Sequence, residues 1–170
     1  MEFPELIQRR RSTRSYSADP VDPVALDRIL HTVSRAPSAG NLQAYRIFVV
    51  RSAQKRHALA VAAGGQEFLE QAPIDLVFFA DPDRSATRYG KRGASLYAIQ
   101  DATIAATFAV LAATDEGLST VWVGAFDESA VRAVCGETGL RPVALVAIGH
   151  AAETPGETTR RSLGEIAREI

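Results

Sequence analysis

The chain has 170 residues, enough for one domain with a sizeable core and too few for two domains of ordinary size. Hydrophobic residues make up 46% and charged residues 23%, the proportions of a folded globular protein. Nineteen basic residues against 20 acidic ones leave a net charge of -1, which sets aside nucleic acid and a membrane surface as the main partner.

Phe3, Leu6 and Ile7 at helical spacing predict a short helix over 3–10. A second helix starts at Asp22-Pro23, an acidic N-cap followed by proline at the first helical position, and stops near Pro37. Its apolar face carries Leu26, Ile29, Leu30 and Val33. Residues 37–41 are small and turn-prone and read as a loop. Three β-branched or aromatic runs, 47–50, 74–79 and 143–148, predict buried strands, with a shorter fourth at 120–123. Helices are expected between them at 53–63 and 128–135, the latter capped by Asp127. Asp81-Pro82-Asp83 reads as turn chemistry at a strand end.

The longest predicted element is a helix over 94–116, ended by Gly117. Gln100, Asp101, Thr103 and Thr107 interrupt its apolar run, which falls short of the roughly 18 unbroken apolar residues of a membrane span. A helix without a wide polar face must be buried on most sides, and in so small a domain a second subunit is expected to cover part of it. Residues 155–159 resemble a connector to a last short helix over 163–170. The order of elements predicts a single α+β domain over 1–170, and the absence of a leader-like N-terminus together with the single Cys135 is read as a cytoplasmic protein.

Four segments offer chemistry. Residues 9–16 place Arg9, Arg10, Arg11 and Arg14 beside Ser12, Thr13 and Ser15, which makes either a phosphate cradle or a solvated basic face at a helix end. Residues 36–43 are either a loop whose amides approach a planar ring, with Asn41 and Gln43 at a heterocycle edge, or a plain helix-to-strand turn. Residues 121–127 form a strand ending on Gly124, where another group can come close to the backbone. The fourth is Arg160-Arg161, which taken alone is ordinary surface charge.

Together and in this order, Arg10-Arg11-Ser12-Thr13-Arg14, Ala36-Pro37-Ser38 through Asn41 and Gln43, the alanine-rich helix, and Gly117-Leu118 through Trp122, Gly124, Ala125, Phe126 and Asp127 resemble the nitroreductase family. The strand Pro142 to Gly149 and its arginine-bearing tail extend the resemblance over nearly the whole chain. It implies a central mixed sheet flanked by helices, in an intertwined homodimer with a long buried helix at the interface and FMN between the subunits. By the resemblance, Arg10, Arg11 and Ser12 hold the FMN phosphate, Arg14 lies toward the ribityl chain and pyrimidine edge, and Arg161, helped by Arg160, closes the site from the tail. Pro37, Ser38 and Ala39 meet the flavin from the other subunit, with Asn41 and Gln43 close by. Gln66 matches an amide reaching the polar edge, and the backbone of Gly124 and Ala125 the position next to N5.

The implied activity is an oxidoreductase using NADH or NADPH, handing electrons to a flat electrophile such as a nitroaromatic or quinone in a two-step ping-pong reaction. Relatives that cleave flavin or dehalogenate aromatics, and a non-catalytic flavin binder, are the alternatives. The chain departs from the family at Ala44-Tyr45, where Pro-Trp is common, at Val123-Gly124-Ala125, which lacks an acidic neighbour, and in the short connection 81–92. No Gly-x-Gly-x-x-Gly follows a strand, so a nicotinamide donor is expected to dock over the flavin rather than in a Rossmann site. His31, His57 and His150 lack metal-ligand spacing, and Cys135, with only Arg132 as a basic neighbour, reads as an inert thiol.

Overall fold

A computed structural model describes residues 1–170. The strands are β1 (Tyr45–Val50), β2 (Ile74–Ala80), β3 (Ser119–Val123) and β4 (Arg141–Gly149). The helices are α1 (Phe3–Arg9), α2 (Pro23–Val33), α3 (Ala53–Ala62), α4 (Phe68–Gln71), α5 (Pro82–Arg92), α6 (Ala98–Asp115), α7 (Glu128–Cys135) and α8 (Leu163–Ile166).

Successive strand residues point to opposite faces, and β2, buried along its whole length, feeds two cores at once. Ile74, Leu76 and Phe78 pack with α2 and α6 on one face, while Val77 and Phe79 pack with α3, α4 and α7 on the other. Removing a side chain as large and as fully enclosed as Phe78 would cost about 3–5 kcal/mol. The strand order is β1-β2-β4-β3, and the sheet is central and helix-flanked as expected. All three ladders are antiparallel; the parallel pairing of a mixed sheet is confined to one bridge, Ser12 to Thr120, on the open edge of β3.

Alanines let α6 lie close to the sheet: Ala105, Ala106, Ala109, Ala112 and Ala113 are all buried against it. The opposite side leaves Ile99, Ile104, Phe108 and Leu111 only partly covered within one chain. The helix is apolar enough by composition to be compared with a membrane span, yet half of its most apolar window is buried inside the protein.

The segment 81–92 corrects the expected turn. Asp81 is the N-cap of α5, its carboxylate accepting the Arg84 N–H at 2.9 Å, and Pro82 occupies the first helical position. The chain breaks and folds back at Gly90, with φ 55° and ψ -140°, and a π-helical turn, Gly93–Tyr97, then runs without interruption into α6, so the helix expected over 94–116 is met, with α5 folded back on it. The fold-back depends on Gly93, where a Cβ would stand 2.5 Å from the Ser85 carbonyl oxygen. The last helix is one turn, Leu163–Ile166, rather than the full stretch to 170, and α4 is an element that the strand and helix periodicities did not announce.

Candidate flavin-type nucleotide site

The first group of site residues is assembled by the open edge of β3. Behind α1 the chain runs extended, Thr13 donating its N–H to the Thr120 carbonyl at 3.0 Å beside the Ser12–Thr120 bridge. It then pairs with the segment leaving β4, through Ser17 N–H to the His150 carbonyl at 2.9 Å and Ala152 N–H to the Ser15 carbonyl at 2.9 Å. These bonds lay the tail across the arginine segment. The result is a cavity of ≈ 960 Å³ lined by Arg10, Arg11, Ser12 and Arg14 from one end of the chain and by Arg160 from the other.

Four guanidiniums face that space together with the carboxylates Glu153 and Glu157. Arg11 donates to Glu157 Oε1 at 2.9 Å, and Glu153 Oε1 accepts the Arg14 backbone N–H at 2.5 Å. Neither acidic residue was singled out in the sequence. Of the two tail arginines expected to close the site, Arg160 lines the cavity, while the Arg161 guanidinium donates to the Glu165 carbonyl at 2.6 Å.

Gly124 and Ala125 follow β3 and are exposed. A Cβ added at Gly124 would come no closer than 3.6 Å, to Trp122 Nε1, so the backbone there is open to a planar partner. Gln66 reaches the same place: its amide nitrogen donates to the Ala63 carbonyl at 3.0 Å and lies 3.5 Å from that of Ala125. Arg10, Ser12, Thr120 and Trp122 line a small cavity of ≈ 170 Å³ beside the cradle, joining the arginine segment to β3.

The loop 37–43 stands apart, against α6. Pro37, Ser38 and Ala39 share a cavity of ≈ 540 Å³ with Tyr97, Ile99 and Ile104, none of which lines the arginine cavity. Asp101, almost fully buried in α6, holds the loop at both ends, accepting the N–H of Ala39 at 2.9 Å and of Ala44 at 3.3 Å. Asn41 and Gln43 both have positive φ and their side chains bond each other, Gln43 Nε2 to Asn41 Oδ1 at 2.7 Å, so the two amides are engaged within the loop. From outside, α5 clamps it: Arg84 donates to the Leu42 carbonyl and Arg88 to that of Gly40 at 3.4 Å. Tyr89 closes over Gly40, whose φ of 56° and missing side chain admit the phenol. Asp101 had a sequence signal, a carboxylate in an alanine-rich helix; the role of α5 had none.

A model of the nitroreductase family matches residues 7–65 and 57–150. The chain is 34% identical over 173 residues to an NADH dehydrogenase of Thermus thermophilus, with 85% of this chain and 84% of that protein covered. It is 35% identical over 127 residues to an FMN reductase [NAD(P)H] of Bacillus subtilis, covering 68% of this chain and 51% of that one, so it spans about half of that relative. The crystal structure of a nitroreductase family protein from Streptococcus pneumoniae superposes with a TM-score of 0.90 at 26% identity, covering 99% of this chain and 100% of the other.

Proposed function

The chain belongs to the nitroreductase family, and from that premise we propose that it is an FMN-dependent oxidoreductase passing electrons from NADH or NADPH to a flat electrophile, a nitroaromatic or a quinone. The observation that carries the reading is the meeting of Arg10, Arg11, Ser12, Arg14 and Arg160, from opposite ends of the chain, on one cavity of ≈ 960 Å³. Guanidinium forks with a hydroxyl among them fit a phosphate dianion, and the open backbone at Gly124 and Ala125 fits an aromatic ring.

When bound, FMN supplies the hydride and electron-transfer chemistry. The chain's own residues bind and orient. Arg10, Arg11, Ser12 and Arg160 hold the phosphate, with Arg14 extending the positive charge. Gly124 and Ala125 present backbone to the ring, and Gln66, whose Oε1 engages no protein donor, accepts from a ring N–H. Pro37, Ser38 and Ala39, with Asn41 and Gln43 behind them, close the site from a second copy. Donor and acceptor take turns on the one exposed face, which gives a ping-pong rate law.

The second copy is part of the reading. Helix α1 buries none of its residues, and Phe3, Leu163 and Ile166 are 64%, 78% and 61% exposed. A groove of ≈ 300 Å³ lined by Phe3, Leu6, Phe108 and Leu111 runs beside α1. Apolar side chains left out at both ends of a chain with a full core fit an intertwined homodimer of single-domain subunits.

The test is FMN titration followed by flavin fluorescence. One FMN per chain is expected, and Arg14→Ala with Arg160→Ala should weaken binding at least tenfold while the fold is kept; a chain that takes up no FMN sinks the proposal. Steady oxidation of NADPH with menadione separates an enzyme from a flavin carrier, and initial-rate plots should run parallel. Light scattering that finds only the 18.3 kDa species would remove the homodimer.

A further inference from the structure

Helix α5 carries Arg84, Arg88, Lys91 and Arg92 against one carboxylate, Asp83, a net of +3 by 4 − 1 in a chain whose total is -1. None of the four cations lies within ion-pair distance of a carboxylate, whereas Arg28, Arg46 and Arg141 each meet a glutamate. Two are held by aromatic rings instead. The Arg88 guanidinium lies 5.6 Å from the centre of the Tyr89 ring, and that of Arg92 lies 5.4 Å from the centre of the Tyr97 ring, with Arg92 Nε donating to Tyr97 Oη at 3.0 Å. The two rings brace each other edge to face at 5.1 Å.

An aromatic ring orders a guanidinium without neutralising its charge, and the donors of Arg92 other than Nε, and of Arg88 other than the one on the Gly40 carbonyl, are left to an anion arriving from solvent. A carboxylate partner would have neutralised them. The ridge has a defined neighbour: Tyr97 lines the cavity shared with Pro37, Ser38 and Ala39, and Arg88 reaches the Gly40 carbonyl on the back of the same loop. The flavin phosphate cradle uses other arginines, so these cations are not claimed by it.

We propose that Arg88, Lys91 and Arg92 are the landing site for the phosphates of the nicotinamide dinucleotide donor. The proposal rests on the functional reading above and deepens it by naming residues that select the donor. A donor docking without a Rossmann motif needs anion recognition at the rim of the open face, and this ridge is unpaired positive charge on the outer side of the loop proposed to close the site from the second copy. Lys91, exposed and free of any hydrogen bond, supplies a mobile point charge; Arg88 and Arg92 supply oriented forks.

The experiment uses the FMN-loaded full chain, with NADPH and NADH as donors and menadione as acceptor. Arg88→Gln with Lys91→Gln, and Arg92→Gln separately, should raise the donor KM about tenfold, the loss falling on KM rather than kcat, while the FMN Kd stays at the wild-type value. The double variant should also lose most of the salt dependence of the donor KM and of inhibition by 2′,5′-ADP. Arg88→Lys with Lys91→Arg, which keeps the charge, should recover most of the affinity, and Arg51→Gln, a distant exposed charge removal, should not move it. Loss confined to NADPH assigns the ridge to the 2′-phosphate; equal loss with both donors assigns it to the pyrophosphate. Unchanged donor KM overturns the proposal, as does a loss of FMN affinity equal to the loss for the donor. A wild-type chain that takes up no FMN would instead bring down the functional reading, and this inference with it.

Discussion

Asp101 and Ala39 are joined across 62 positions of sequence by a 2.9 Å hydrogen bond that fixes where the loop 37–43 begins. The other carboxylate oxygen takes the N–H of Ala44, where the loop hands over to β1. Asp101→Asn keeps one acceptor and turns an amide N–H₂ toward a backbone N–H. An unsatisfied buried donor costs about 1–3 kcal/mol, so a fall in Tm of roughly 3–9 °C is expected, together with weaker FMN binding. Calorimetry and FMN titration on the same variant check both; normal stability and normal flavin affinity would show that the loop holds itself.

Gly40 tests the outer clamp. An alanine there would place its Cβ 2.5 Å from Tyr89 Oη in a backbone region that L residues rarely adopt. Gly40→Ala should destabilise by about 2 kcal/mol in sum, of which the αL preference accounts for about 1 kcal/mol. Combining it with Tyr89→Phe removes the clashing oxygen, so the double variant should regain the steric share and keep the backbone share. Urea denaturation of the two single variants and the double one gives the coupling; strictly additive losses would mean that Tyr89 does not press on this glycine.

Much of this architecture was legible from pattern. Leu26, Ile29 and Val33 recur at helical spacing because they face one core, and the β2 run is apolar at every position but Asp75 because it feeds two. Helix α5 was not legible, since its residues carry no apolar stripe and its stability comes from the Asp81 cap and from Gly93 sitting against Ser85. Asp-Pro starts turns and helices alike, so the dipeptide alone does not choose. The tail arginines show a different limit. Arg160 lines the cavity while Arg161 turns to the Glu165 carbonyl, and composition does not say which of two adjacent arginines does so. The partners of Asp101 are a third of the chain away, and a carboxylate in an alanine-rich helix announces burial without naming what it binds.

Glu157 makes the phosphate cradle weaker than its arginines imply. Its carboxylate bonds Arg11 in the cavity that must admit the phosphate, so the two anions compete for one guanidinium. Both groups are partly solvated, and an exposed pair contributes about 0–1 kcal/mol. Glu157→Gln should therefore tighten FMN binding by up to about fivefold and slow flavin release. Stopped-flow dissociation and equilibrium titration measure the two effects, and weaker binding in this variant would assign Glu157 a supporting role instead.

Cys135, at the end of α7, has its thiol pushed up to about 11 by burial, which outweighs the nearby Lys55. At pH 7.5 almost none of it is thiolate, the form that reacts. Iodoacetamide should label the native chain slowly and the urea-unfolded chain at the rate of a free thiol, and Cys135→Ser should leave NADPH oxidation intact. Rapid labelling of the folded chain, read by intact mass, would contradict the half-buried placement.

Asp75 gives the chain a pH dependence of unusual sign. It lies on β2, fully buried, with neither carboxylate oxygen hydrogen-bonded, and Tyr16 Oη is buried and unpartnered as well. Burial raises the Asp75 pKa well above the ordinary carboxylate value, Arg56 opposing it only in part, and Tyr16 is raised in turn by its own burial and by Asp75. A carboxyl whose folded pKa is the higher one binds its proton more tightly in the folded state than in the unfolded. Its contribution is therefore intact below the unfolded pKa of about 4 and is progressively lost as pH rises from there toward the folded value. Asp75→Asn removes the titration while keeping the shape. The variant should match the parent near pH 4 and exceed it in stability at pH 8, the gap widening between the two. Urea midpoints across that range decide it, and a gap independent of pH would mean that Asp75 is ionised in the folded chain throughout.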